Sequence, residues 1–222
     1  MRKQDGVSDL RFRILVCSSA VLWIMHLVAE VLHLTLGSCP PLYVETAFGF
    51  GATRFNVPFW FSVLLLVYNA GLAFTIGIRS RGKTPLPVGW WILGGASLSI
   101  VAVMVVGARP VAEMLLRAVQ AVPVPSAGAG IIALGVGILF VRFVLQQELQ
   151  VRRRLLVAGG IYILGAVALE LVSEALCGRR HEAGIAVVYA VVSTLEETCE
   201  MVGLLLSIRA LRLHVFATAT SS

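Results

Sequence analysis

Three stretches carry residues whose types and spacing could do chemistry. One is EVLH, Glu30 to His33, with His26 one helical turn earlier. Another is GAVALELVSE, which holds Glu170 and Glu174, and the last is STLEETCEMVG, with Glu196, Glu197 and Glu200. Carboxylates and imidazoles bind borderline divalent metals, and the same groups take up and release protons. A Glu-x-x-His pair, joined by glutamates from neighbouring helices, is the donor pattern of carboxylate-bridged dimetal bundles. Such bundles use two of these pairs, and this chain has one. The candidate metal ligands are His26, Glu30, His33, Glu170, Glu174, Glu196, Glu197 and Glu200. Carboxylate plus imidazole suits iron, manganese or zinc. A divalent metal there would support redox or hydrolytic chemistry on a lipid-like or small apolar substrate.

The elements that must position these residues are greasy. Of 222 residues, 58% are hydrophobic and 14% charged, and the mean hydropathy is +0.90. A soluble domain carries roughly 25% charged residues. The sequence therefore predicts an all-α polytopic membrane bundle of six transmembrane helices, at about 14–36, 57–78, 88–107, 128–147, 155–176 and 183–208. Residues 1–13 form a cytoplasmic segment, 14–213 the membrane domain and 214–222 a cytoplasmic tail. The period-2 alternation of a membrane β-barrel is absent. The opening MRKQDGVSDLRFR resembles the charged region of a signal peptide. Its apolar run has no small-x-small cleavage site, so it is read as a retained first span.

Lys and Arg set the orientation. With the N-terminus inside, 13 basic residues fall on inner segments and 5 on outer ones, which predicts both termini in the cytoplasm. The net charge of +6 is thus an orientation signal. No polybasic block with interleaved aromatics is present, which excludes nucleic acid as a partner; the bilayer is the expected one. A short outer-surface helix is expected within 108–127. Small residues recur on span four at Ala129, Ala133 and Gly137. They are read first as intramolecular packing and second as a seam with another membrane protein or a second copy. Cys39 and Cys177 both fall at outer span ends, where a disulfide could form in an oxidising compartment.

Six of the chain's acids lie inside spans one, five and six. A charged side chain at mid-bilayer costs roughly 2.5–3.5 kcal/mol even on the lenient insertion scale. Six unpaired carboxylates would exceed the roughly 5–15 kcal/mol net stability of a domain. They must share protons, line a wet cavity or be neutralised by a cation. At about 100° per residue, Glu170 and Glu174 lie about 40° apart, and Glu196, Glu197 and Glu200 span about 100°. His26, Glu30 and His33 fall within about 60°. Each span thus presents one polar face, and spans one, five and six are expected to pack together with these faces inward. Asn69, Tyr162, Tyr189, Ser193 and Thr194 are candidate supporting partners. His181 and His214 are read as headgroup-level residues without a specific role.

Other readings stay open. His26 and His33 could be satisfied core histidines, the glutamates could be a proton or cation pathway, and all could be interhelical hydrogen-bonding groups. The transport reading lacks a visible inverted repeat or Gly/Pro-broken helices. An accessory subunit of a membrane complex is the third class. Zinc, P-loop, nucleophile-elbow and dinucleotide signatures are absent.

Two stretches carry a family resemblance: FNVPFWFSVLLLVYNAGLA (55–73), and GAVALELVSE followed by YAVVSTLEETCEMVGLLLSIRAL. On them the chain resembles an uncharacterised family of bacterial six-span integral membrane proteins with a buried acidic motif in the last span. The resemblance implies the six-span fold, a cell inner membrane and no assigned activity. It marks Glu170, Glu196, Glu197 and Glu200.

Overall fold

The computed structural model describes residues 2–36, 57–80, 88–106, 138, 140–177 and 183–219. Among them every regular element is helical and no strand occurs. The helices are α1 (Arg2–Leu36), α2 (Val57–Arg79), α3 (Val88–Val106), α4 (140–146), α5 (Leu149–Ile163), α6 (Glu170–Cys177) and α7 (Ala183–Ala219). A π-helical turn, Leu164–Leu169, joins α5 to α6 without a break. Among the described residues, three stretches of helix are long and apolar enough to cross a membrane: Val57–Arg79, Val88–Val106 and Leu149–Ser173. Phe12–Val28 is a shorter apolar stretch within α1. Most of the expected fourth span lies outside the described residues, as do the outer connections and Cys39.

Local chemistry explains the element ends. Pro58 opens α2, where its fixed φ suits a first turn and its missing N–H costs nothing. Arg79 sits in the last turn, against the negative end of the helix dipole. Between α4 and α5 the helical pattern lapses at Gln147 and Glu148. Gln147 Nε2 donates to Phe143 O at 3.2 Å, and Arg152 donates to Leu145 O at 3.1 Å. Two side chains thus satisfy the last carbonyls of α4. Along α5 and α6, Leu156, Val157, Ile163, Val167 and Leu171 are exposed. Apolar side chains bare of protein along a crossing-length helix suit contact with lipid.

The chain divides into two compact units, each described by itself. One holds residues 63–156 and 210–222, the other 1–62 and 157–209. In the former, α2 and α3 pair antiparallel. Asn69 meets Ser97, and Phe74 and Trp91 stack at a tilt with centroids 5.4 Å apart. Gly94 and Gly77 are the notches that receive these rings. The core gathers Ala73, Ile76, Trp90, Phe143, Val144, Val151 and Leu211. Gly89 lies flat against the Phe143 ring, where a Cβ would overlap it.

Trp90 is the centre of this core. Phe143 meets it edge-on at 4.8 Å, and His214 stacks on it at 5.1 Å and 28°. His214 is therefore a half-buried packing residue and not the unengaged headgroup-level residue expected from sequence. Burial pushes its imidazole below the ordinary value of 6.5, against an opposing pull from Glu148. The folded chain thus binds this proton less readily than the unfolded chain. The stability from a neutral His214 should be complete above about pH 6.5 and decline as the pH drops below it, until the folded imidazole itself protonates. Thermal unfolding of detergent-solubilised protein across this range should show the acid limb, and His214→Phe should flatten it. An unchanged limb would count against the assignment.

Candidate functional site

Within the unit of residues 1–62 and 157–209, hydroxyl groups set the terms of contact. Thr194 donates to Ala190 O at 2.7 Å, and Thr198 donates to Thr194 O at 2.6 Å. A hydroxyl has one hydrogen, so each oxygen is left to accept from elsewhere. Trp23 Nε1–H donates to Thr198 at 2.8 Å. His26 Nε2 lies 2.9 Å from Thr194 Oγ1, and the same count makes Nε2 the donor. Trp23 and His26 are one turn apart on α1, and Thr198 and Thr194 are one turn apart on α7 in the reverse order. The helices are therefore antiparallel. Arg209 lies over the Phe12 ring at 6.0 Å, further along the same pairing.

On α7, α5 is also antiparallel, and the two backbones come close. A Cβ on Gly203 would stand 2.8 Å from Tyr162 N and 2.9 Å from Ala158 O. A Cβ on Gly165, in the π-turn, would stand 2.7 Å from Glu196 O. Cys199 and Glu200 line the same spot. Small residues at such positions are what allow membrane helices to approach closely. The approach gathers acids. Glu170, Glu196 and Glu197 all act electrostatically on Glu200, and Tyr162 is within range of Glu170, Glu197 and Glu200. Glu196, Glu197 and Glu200 are partly enclosed, whereas Glu170 is exposed.

The pairings fix a register. On α1, Trp23 and His26 are level with Thr198 and Thr194. At about 1.5 Å per residue, the backbone of Glu30 comes level with about Ala190, and that of His33 with about Val187. On the other contact, Tyr162 is level with Gly203 and Gly165 with Cys199. Glu170 then comes level with about Thr194, and Glu174 with about Tyr189. The candidate residues are therefore strung along the axis and not gathered at one level, from Glu200, Glu197 and Glu196 through Glu170 and His26 to the backbone levels of Glu30, Glu174 and His33. His33 stands about 15 Å along the axis from the level of Glu197.

The sequence nominated eight ligands for one metal. Side chains are described for His26, Glu170, Glu196, Glu197 and Glu200; those of Glu30, His33 and Glu174 lie outside the described residues. Among the described residues no three His, Cys, Asp or Glu side chains converge as a metal would require. His26 is 1% exposed and bonded to Thr194, the satisfied-histidine alternative for that residue. Of the supporting partners, Thr194 meets His26, Tyr162 joins the acids and Asn69 meets Ser97 in the other unit. Sequence reasoning missed Trp23, Thr198, Gly165 and Gly203. The signal for Trp23 was its place one turn before His26; a lone glycine in an apolar run gives no comparable signal.

No family model, curated protein or solved structure matches the chain. Geometry alone carries the reading of the site. Thr194→Val should remove the acceptor facing buried His26 and cost about 1–3 kcal/mol. Thr194→Ser, which keeps the hydroxyl, should unfold close to wild type. The check is denaturant unfolding in detergent; equal losses for both variants would contradict the bond.

Proposed function

We propose that this chain is a six-crossing protein of a bacterial inner membrane, with both termini cytoplasmic, whose acids and histidines form a stepped pathway for protons or another small cation. The register is the observation that carries this reading. Ionisable groups follow one another along α7 from Glu200 past Glu197, Glu170 and His26 to the levels of Glu30, Glu174 and His33. That run of about 20 Å is two-thirds of a ~30 Å hydrocarbon core. A compact metal site would gather its ligands at one level.

Direction of the helices supports the six crossings. α1 and α5 are each antiparallel to α7, so they run parallel to one another. An odd number of crossings must then lie between them. The antiparallel pair α2 and α3 supplies two, and the sequence expects a third at about 128–147. The acids support a cation as the transported species. Carboxylates crowded in a low-dielectric setting cannot all carry charge, and a shared proton or a bound cation relieves the repulsion.

Proteoliposomes loaded with a pH-sensitive dye test the pathway. Wild-type protein should dissipate an imposed proton or cation gradient. Glu200→Gln near one end of the run and Glu174→Gln near the other should each reduce the rate to that of empty liposomes. Wild-type liposomes silent across pH and cation type would sink the proposal. Stoichiometric iron, manganese or zinc in the purified protein, lost in Glu197→Gln, would return Glu196, Glu197 and Glu200 to the divalent-metal reading.

A further inference from the structure

The break between α4 and α5 carries a surplus of positive charge. From residue 140 to residue 169 the sequence holds four arginines, Arg142, Arg152, Arg153 and Arg154, and one acid, Glu148. Arg152 donates to Leu145 O. Arg142, Arg153 and Arg154 are exposed. Two of these stand on faces that are otherwise apolar. On α5, Leu149, Arg153 and Leu156 fall within about 60° of arc, on the side opposite buried Val151 and Ala158. On α4, Val141, Arg142 and Leu145 span about 100°, on the side opposite buried Phe143 and Val144. The apolar neighbours are bare: Val141 is 57% exposed, Leu145 54%, Leu149 68% and Leu156 55%.

Each arginine therefore has exposed hydrocarbon on both sides of it along the helix. Leu149 lies about 6 Å from the level of Arg153 toward the break, and Leu156 about 4.5 Å from it the other way. Leu145 lies between Arg142 and the break in the same manner. Water alone would suit the arginines and leave the leucines bare, whereas hydrocarbon alone would suit the leucines and strand the charges. A phospholipid offers both at one level, because its phosphate adjoins its acyl chains. A guanidinium meets a phosphate through two parallel N–H···O bonds. The cationic amine of a zwitterionic headgroup would be repelled by the arginine surplus, and an anionic headgroup has no such group. We propose that the outward face of the α4–α5 break is a docking site for an anionic phospholipid, with Arg142 and Arg153 meeting the headgroup and Leu145, Leu149 and Leu156 lying along the acyl chains. Which leaflet supplies the lipid rests on the proposed orientation of the chain; the binding itself does not.

Native mass spectrometry of the full-length chain in detergent reads the site, with phosphatidylglycerol and phosphatidylcholine as probes. Wild-type protein should retain phosphatidylglycerol in preference to phosphatidylcholine. Arg142→Gln and Arg153→Gln should each weaken that retention about fivefold, and Leu149→Gln should weaken it with every charge in place. Arg79→Gln removes a charge from the last turn of α2 and should leave retention unchanged. Equal losses in Arg79→Gln and Arg153→Gln would mean that net charge alone attracts the lipid, and would overturn the proposal. Equal retention of the two lipids would overturn it as well, as would displacement of phosphatidylglycerol by excess inorganic phosphate. A dimer converted to monomer by Leu149→Gln, with phosphatidylglycerol retained, would assign the face to a second copy and also overturn it. Thermal unfolding gives a second readout. Added phosphatidylglycerol should raise the unfolding temperature of wild type and of Arg79→Gln, but not of Arg142→Gln/Arg153→Gln. None of these readings needs ion flux, so silent liposomes would sink the pathway and leave the lipid site standing.

Discussion

The approach of α5 and its π-turn to α7 is the contact on which the acidic region depends. Two glycines make it: Gly203 admits the backbone of Ala158 and Tyr162, and Gly165 admits the carbonyl of Glu196. A methyl group at either would force the helices apart or the backbones to shift. In lipid no hydrophobic driving force holds two apolar helices together, so close packing and polar contacts must do so. Tyr162 reaches Glu197 and Glu200, and Glu170 reaches Glu200, because these backbones come so near.

A second constraint works on both units. Serine and threonine hydroxyls in the apolar helices donate to carbonyls four residues back, as at Ser19, Thr75, Ser97, Ser99, Thr194 and Thr198. Each then offers its neighbours an acceptor and no hydrogen. The interhelical partners are correspondingly donors: Asn69 Nδ2 to Ser97, Trp23 Nε1 to Thr198, and His26 Nε2 to Thr194. One rule, the hydrogen count of a hydroxyl, thus decides the polarity of the polar contacts in α1–α7 and in α2–α3.

Much of this was legible in the sequence, for physical reasons. Apolar runs of crossing length identify α2 and α3 almost to the residue, because lipid demands length and composition together. The lopsided placement of acids in spans one, five and six pointed to α1, α5 and α7 meeting, and contacts of α1 and α5 on α7 do occur. Depth was not legible. Helical-wheel angles put Glu30, His33 and Glu197 on inward faces but carry no information about axial register, which only pairings such as His26 with Thr194 supply. The π-turn was hidden as well: LGAVAL is an ordinary apolar helix sequence, and nothing in its residue types announces an extra residue.

The bond between His26 and Thr194 has one more property. Because the threonine hydrogen is committed to Ala190 O, the imidazole donates through Nε2, and it donates through Nε2 equally when it is neutral and when it is charged. That one hydrogen bond between α1 and α7 is therefore the same for the neutral and for the charged ring.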